Sequence, residues 1–150
     1  MTMTFQGNKH YLLLAPQAIA SNATATSNLD TRGWGEAQIA FHLGAGGGTS
    51  APAVMKLSES DTTVVTSFAD ISAFVAGSGF TAAAVLTTTA ATAPAVVMNV
   101  DLRGRKRYLK VSFTPSTGGA GQVAITAQLS RGKESASSAS EAGADVVVNG

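Results

Sequence analysis

Few residues in this sequence could do chemistry. There are two histidines, His10 and His42, and no cysteine. His42 shares a polar strand face with Gln38 and Glu36, but six residues of extended chain put Glu36 and His42 roughly 20 Å apart, too far to share a metal ion. His42 therefore reads as a surface histidine. Gly77-Ser78-Gly79 lacks the wider glycine spacing of a nucleophile elbow, and no base is supplied nearby, so it reads as a turn. The glycines of Gly44–Gly48 have no lysine after them and no helix pattern to follow, which excludes a phosphate-cradling loop and leaves a hairpin loop. Glu59 and Asp61 flank Ser60 at a strand end and point to one face, a pair that could hold Ca²⁺ or move a proton. A calcium loop needs more oxygens at close spacing, and the next carboxylate is Asp70. Without cysteine there is no disulfide scaffold, zinc finger, iron–sulfur site or thiol nucleophile. The expectation is a non-enzyme with no cofactor and no metal site.

Charge narrows the partners. The dense run is Arg103, Arg105, Lys106 and Arg107, interleaved with no aromatic platform except the following Tyr108. It reads as a solvated turn, or as a dock for an acidic protein surface, where charge complementarity sets register. The formal net charge is +1, so no long-range field favours nucleic acid or an anionic membrane. No apolar run approaches the roughly 18–20 residues of a membrane helix. Lys9-His10 before Tyr11-Leu12-Leu13-Leu14-Ala15 faintly mimics a signal peptide, but Pro16 interrupts the run. The sequon Asn22-Ala23-Thr24 accordingly lacks a secretory context.

The elements that would carry these residues are strands. Alternation with period two runs through Trp34–Leu43, Ala53–Ser58, Val96–Arg103, Tyr108–Phe113 and Gln122–Leu129. It predicts Ile39, Phe41, Leu57, Val100, Leu109, Val111, Phe113, Val123 and Ile125 as core. Gly44–Thr49 and Ser116–Gly121 read as turns between strand pairs, and the short basic turn at Gly104–Lys106 places Leu102 and Leu109 in one hairpin. Phe68–Val75 fits either a strand or one helical face, and Ala82–Ala95 has no usable period. The expected fold is all-β: an antiparallel β-sandwich or jelly-roll-like barrel of about seven or eight strands, with extended N- and C-terminal arms.

At 150 residues one core suffices. The organisation expected is an N-terminal arm and first strand over 1–29, a β-sandwich domain over 30–132 and a flexible C-terminal tail over 133–150. Each end carries a short apolar run that could reach a neighbouring subunit: Leu12, Leu13 and Leu14 near the start, and Val146, Val147 and Val148 at the finish. The valines could add a strand to another chain's exposed edge. Only 13% of residues are charged, against about 25% in an average soluble domain. Such a surface suits a protein covered by neighbours in an assembly.

Asp30-Thr31-Arg32-Gly33-Trp34, then Lys56-Leu57-Ser58-Glu59-Ser60-Asp61, then Phe68-Ala69-Asp70-Ile71, and finally Arg107-Tyr108-Leu109-Lys110-Val111 follow one another in an order that resembles the head decoration, or cement, proteins of tailed bacteriophages. The resemblance covers roughly Asp30 to Phe113. It implies a β-rich, non-enzymatic protein, often trimeric, made in the host cytoplasm and mounted on the outside of the virion. Its partners would be the major capsid protein and itself, with no nucleic acid and no membrane. The candidate contacts are Leu12–Leu14, Trp34, the Arg103–Arg107 cluster and Val146–Val148. A second reading is a carbohydrate- or receptor-binding β-sandwich module of a phage head or tail fibre, with Trp34, Tyr108 or Tyr11 as the stacking platform.

Overall fold

The five alternating runs each carry a strand, with the expected apolar face buried over most of its length. The computed structural model describes residues 7–44, 51–82, 96–116 and 119–131. These form β1 (Lys9–Ile19), β2 (Ala25–Asp30), β3 (Glu36–Leu43), β4 (Val54–Ser60), β5 (Ala69–Val75), β6 (Val96–Asp101), β7 (Tyr108–Thr114) and β8 (Gly121–Ser130), with one 3-10 turn at Val65–Ser67. The strands pair antiparallel in two four-stranded sheets, in the orders β1-β8-β3-β6 and β2-β7-β4-β5. We call these sheet A and sheet B. They pack face to face over one core, a β-sandwich of eight strands.

β3 buries Ala37, Ile39, Phe41 and Leu43, and β8 buries Val123, Ile125, Ala127 and Leu129. From the opposite layer come Met55 and Leu57 of β4 and Leu109, Val111 and Phe113 of β7. All nine core residues expected from the alternation are buried. The ambiguous Phe68–Val75 segment is settled as strand β5, with Ile71 as its buried anchor. Ala83–Ala95, most of the stretch without a usable period, lies outside the described residues.

Two expectations about connections are corrected. β6 and β7 do not form a hairpin: β6 pairs with β3 in sheet A, whereas β7 lies between β2 and β4 in sheet B. Leu102 and Leu109 are both buried because they enter the same core from opposite layers. The turn itself is real, with Gly104 at φ +77° and Arg105 N–H donating to Leu102 C=O at 3.1 Å. The glycine-rich segments after β3 and before β8 likewise join opposite sheets rather than hydrogen-bonded pairs, and β4 and β5 are the consecutive strands that do pair. Alternation reports which side of a strand is buried, and cannot say to which layer the strand belongs.

Within 1–29 the first strand is Lys9–Ile19, an edge strand of its own sandwich paired with β8. Two register shifts, between Leu12 and Leu14 and between Leu14 and Gln17, each insert one extra residue. The first turns both Leu13 and Leu14 toward the core and leaves Leu12 at 62% exposure. Pro16, which cannot donate to a ladder, falls within the second. The small polar stretch before Leu29 is an edge strand as well: β2 is held by its ladder to β7, by buried Leu29 and by a 2.7 Å bond between the Thr24 and Thr114 hydroxyls.

The turn after β5 sets a sharp test of backbone closeness. Gly77 N–H donates to Phe80 C=O and Gly79 N–H to Val75 C=O, both at 2.8 Å. A Cβ on Gly79 would stand 2.1 Å from Ser72 C=O oxygen and 2.6 Å from the Ala73 carbonyl. Backbone atoms have little room to give, so Gly79→Ala is expected to cost about 1–3 kcal/mol in denaturant unfolding. An unchanged midpoint would show that this turn relaxes freely.

Candidate interaction surface

The sequence motifs converge on one end of the sandwich. Asp30 Oδ1 accepts the Arg32 amide at 3.1 Å, and Trp34 N–H donates to Thr31 C=O at 3.1 Å across Gly33, whose φ is +87°. That tight turn is why the Asp-Thr-x-Gly-Trp spacing is needed. It is tied to the basic cluster: the Thr31 amide and hydroxyl both donate to Arg107 C=O, at 3.0 and 2.7 Å. The Arg107 guanidinium donates to both carboxylate oxygens of Asp30, at 3.0 and 2.7 Å. Glu59 accepts Arg105 Nη1 at 3.4 Å and the Lys106 amide at 3.2 Å. Arg103 is clamped on Asp101, and Arg131 reaches Glu36 at 2.9 Å. In Asp70 of the third motif the carboxylate takes Lys56 Nζ and the Ser58 hydroxyl, each at 2.7 Å.

These pairings change the reading of the charged residues. Arg103, Arg105 and Arg107 are each spent on a carboxylate of the same chain, leaving Lys106 as the member of the run whose side chain carries no ion pair among the described residues. Glu59 belongs to this collar, and among the described residues no three metal-ligating side chains come together. His42 donates to or accepts from the Thr126 hydroxyl at 3.0 Å on the outer face of sheet A.

The collar also shifts proton affinities. Its hydrogen bond from Arg107 holds the Asp30 carboxyl below its ordinary range, and Lys56 and then Ser58 do the same for Asp70. Arg103 brings Asp101 down to about 2. Carboxyls that bind protons less readily when folded stabilise the fold above the unfolded value near 4, and that stability is lost as pH falls through the lower folded value. The pairs are exposed, so solvent screening keeps the contribution of Asp30–Arg107 and Asp70–Lys56 small. Melting temperature is expected to fall between pH 4 and about 2, with a smaller fall in Asp30→Asn. A flat profile across that range would show that the pairs do not persist in solution.

The two outer faces differ. On sheet B, Ser58, Ser60, Ser112 and Thr114 are buried beneath longer neighbours, including Lys110, whose Nζ sits 4.4 Å from the Phe68 ring centre. Two ion pairs lie on that face, Lys56–Asp70 and Arg107–Asp30. Sheet A is different. Its register aligns Leu12, Thr126, Ala40 and Val97 in one row across all four strands, and His10, Gln128, Gln38 and Asn99 in the next. Neither row contains Asp, Glu, Lys or Arg. Leu12 is 62% and Val97 45% exposed, Gln38 donates to Asn99 at 3.0 Å, and shallow grooves run over this face.

Of the expected contacts, Leu12 lies on this face, while Leu13 and Leu14 pack against the core. Trp34 also packs against the core, Tyr11 lies under Lys9 and Tyr108 under Arg107, with the cations 4.9 and 4.8 Å from the ring centres. All three are half-buried. Val146, Val147 and Val148 lie outside the described residues. Sequence reasoning missed Val64 and Val65, 59% and 75% exposed on the β4–β5 connection. That tip is fixed by the Ser67 amide and hydroxyl, both donating to Val64 C=O, and by Ser60 and Thr62 on the Ser67 hydroxyl. Two valines followed by Thr-Ser, outside any alternating run, were the available signal. No protein-family model matches the chain, and no curated protein matches it.

Proposed function

We propose that this chain is a structural virion protein of the decoration, or cement, kind, which stabilises a tailed-phage capsid from outside by clamping neighbouring major-capsid-protein subunits. The observation that carries the reading is the pair of adjacent charge-free rows on the outer face of sheet A, with Leu12 and Val97 standing open on it. An uncharged, part-apolar patch can be desolvated against another protein without stranding ions. The order of the four motifs supports the same reading.

Size decides how such a contact could hold. Four strands at about 4.8 Å spacing and some five residues at about 3.3 Å give a face of about 300 Å². A stable pairwise interface needs about 800 Å² per partner. One face is too small to hold a shell alone, so retention depends on several copies acting together, as a homotrimer about a capsid axis would allow. The exposed Val64–Val65 tip adds a second contact in this reading, and Val65→Asp is expected to weaken attachment roughly tenfold without changing the melting temperature.

The test is sedimentation of the purified protein with expanded capsids that lack it, alongside light scattering of the free protein. The reading expects saturable binding and a trimer, free or on the shell. No binding to shells would overturn it. Hits on a glycan array instead would favour the carbohydrate-binding alternative.

A further inference from the structure

The outer face of sheet A has the same profile from either side. In the row Leu12, Thr126, Ala40, Val97, an exposed aliphatic side chain on each outer strand flanks two smaller, half-buried residues on the inner strands. In the next row, two glutamines on the inner strands, Gln128 and Gln38, are flanked by His10 and Asn99. Consider a two-fold axis that lies along the strands, midway between β8 and β3. It sets β1 of one copy on β6 of the other and β8 on β3, so each row faces itself.

We infer that this face joins two copies of the chain about that axis, as a face-to-face dimer in solution. A second copy is the occupant because the operation makes the matches complementary. Leu12 meets the partner's Val97, and the two exposed aliphatics cover each other on both outer strands. A twisted sheet laid on its like comes closest in the middle and spreads toward the corners. Thr126 and Ala40 are small where the approach is closest, and Leu12 and Val97 are large where it widens. Gln128 meets the partner's Gln38, and a side-chain amide both donates and accepts.

Charge agrees. In the row beyond, Glu36 falls opposite the partner's Ser130, and Glu36 and Asp101 are already held by Arg131 and Arg103. On the other side His42 falls opposite the partner's Ala124. Among the described residues of these rows no like charges meet. The same operation on sheet B would lay Lys110 on Ser58 and Lys56 on Ser112, taking cations out of water with no carboxylate opposite.

Size sets the strength. The eight residues Glu36–Leu43 at about 3.3 Å and four strands at about 4.8 Å give a face of about 500 Å² per copy, about 1,000 Å² in total. That is the low end for a specific interface, so the dimer forms at high concentration and comes apart on dilution. The inference does not rest on the capsid reading. The two meet on one face: the dimer must open before sheet A seats on a shell, and the trimer of that reading then forms on the shell.

The test needs no capsids. Full-length wild-type protein is sedimented at concentrations from about 1 to about 500 µM, and a monomer that converts to dimer as concentration rises is expected. A strict monomer throughout would overturn the inference. The chain has no cysteine, so Leu12→Cys and Val97→Cys can be made separately, mixed and treated with a short bis-maleimide. The two Leu12 positions of the dimer lie about 14 Å apart along the face as well as about 10 Å across it, whereas Leu12 lies directly opposite the partner's Val97. The mixture is therefore expected to give at least tenfold more cross-linked dimer on a denaturing gel than either variant alone. Equal yields, or a sedimenting dimer without the mixed cross-link, would place the contact elsewhere and also overturn the inference. A protein that passes both tests yet fails to bind shells would leave the dimer standing and overturn the capsid reading alone.

Discussion

Phe41→Ala and Phe113→Ala are each expected to lower the unfolding free energy by about 3–5 kcal/mol, the largest single-residue losses in this protein. Both rings are fully buried, one from each sheet: Phe41 sits in β3 beside Ile125 of β8, and Phe113 in β7 between Ala25 of β2 and Met55 of β4. Each truncation removes the ring from the centre of a close-packed layer, and the strands on either side are held by their ladders and cannot collapse to refill it. Denaturant unfolding, with the slope checked for constancy, gives the measurement. A loss below about 1 kcal/mol at either position would mean that the strand presents its other face to the core, since a one-residue slip exchanges the faces completely.

Ala40→Glu is expected to weaken attachment to capsids about a hundredfold or more while leaving the fold intact. Ala40 lies in the middle of the uncharged row of sheet A, between Thr126 and Val97. A carboxylate there stays hydrated in the free protein but would be buried without a partner in the contact, a cost of several kcal/mol. Asn28→Glu is the control, because Asn28 is exposed on the outer face of sheet B, opposite Lys110 of β7. Binding to shells would be measured for both variants beside wild type. Equal loss in the two, or loss in Asn28→Glu alone, would move the attachment surface to the other sheet.

The alternation of Ile39, Phe41, Leu57, Val100, Leu109, Val111, Phe113, Val123 and Ile125 made five strands and their buried faces legible, because a half-buried strand leaves a period-two mark in its own residues. β1 and β2 left no such mark. The bulge at Leu12–Leu14 breaks the period just where the chain is most apolar, and β2 is an edge strand anchored by Leu29 alone among its residues. Which sheet a strand joins was equally hidden, since Leu102 and Leu109 look alike whether they share a layer or face one another. The basic run was legible as a turn. Its neutralisation was not, because Glu59 lies 46 positions from Arg105 and Asp30 lies 77 from Arg107, and only the assembled fold brings them together. The uncharged rows were visible only as low overall charge; pairing register was needed to gather Leu12, Ala40 and Val97 into one row.

The central claim, that the chain clamps a capsid from outside through sheet A, is tested most directly by a reconstruction of purified virus particles whose genome encodes it. Eight-stranded sandwiches are expected on the outer surface, grouped about a symmetry axis, with Leu12, Ala40 and Val97 turned toward the shell. Particles that carry no copies, or copies seated through the sheet B face, would contradict it.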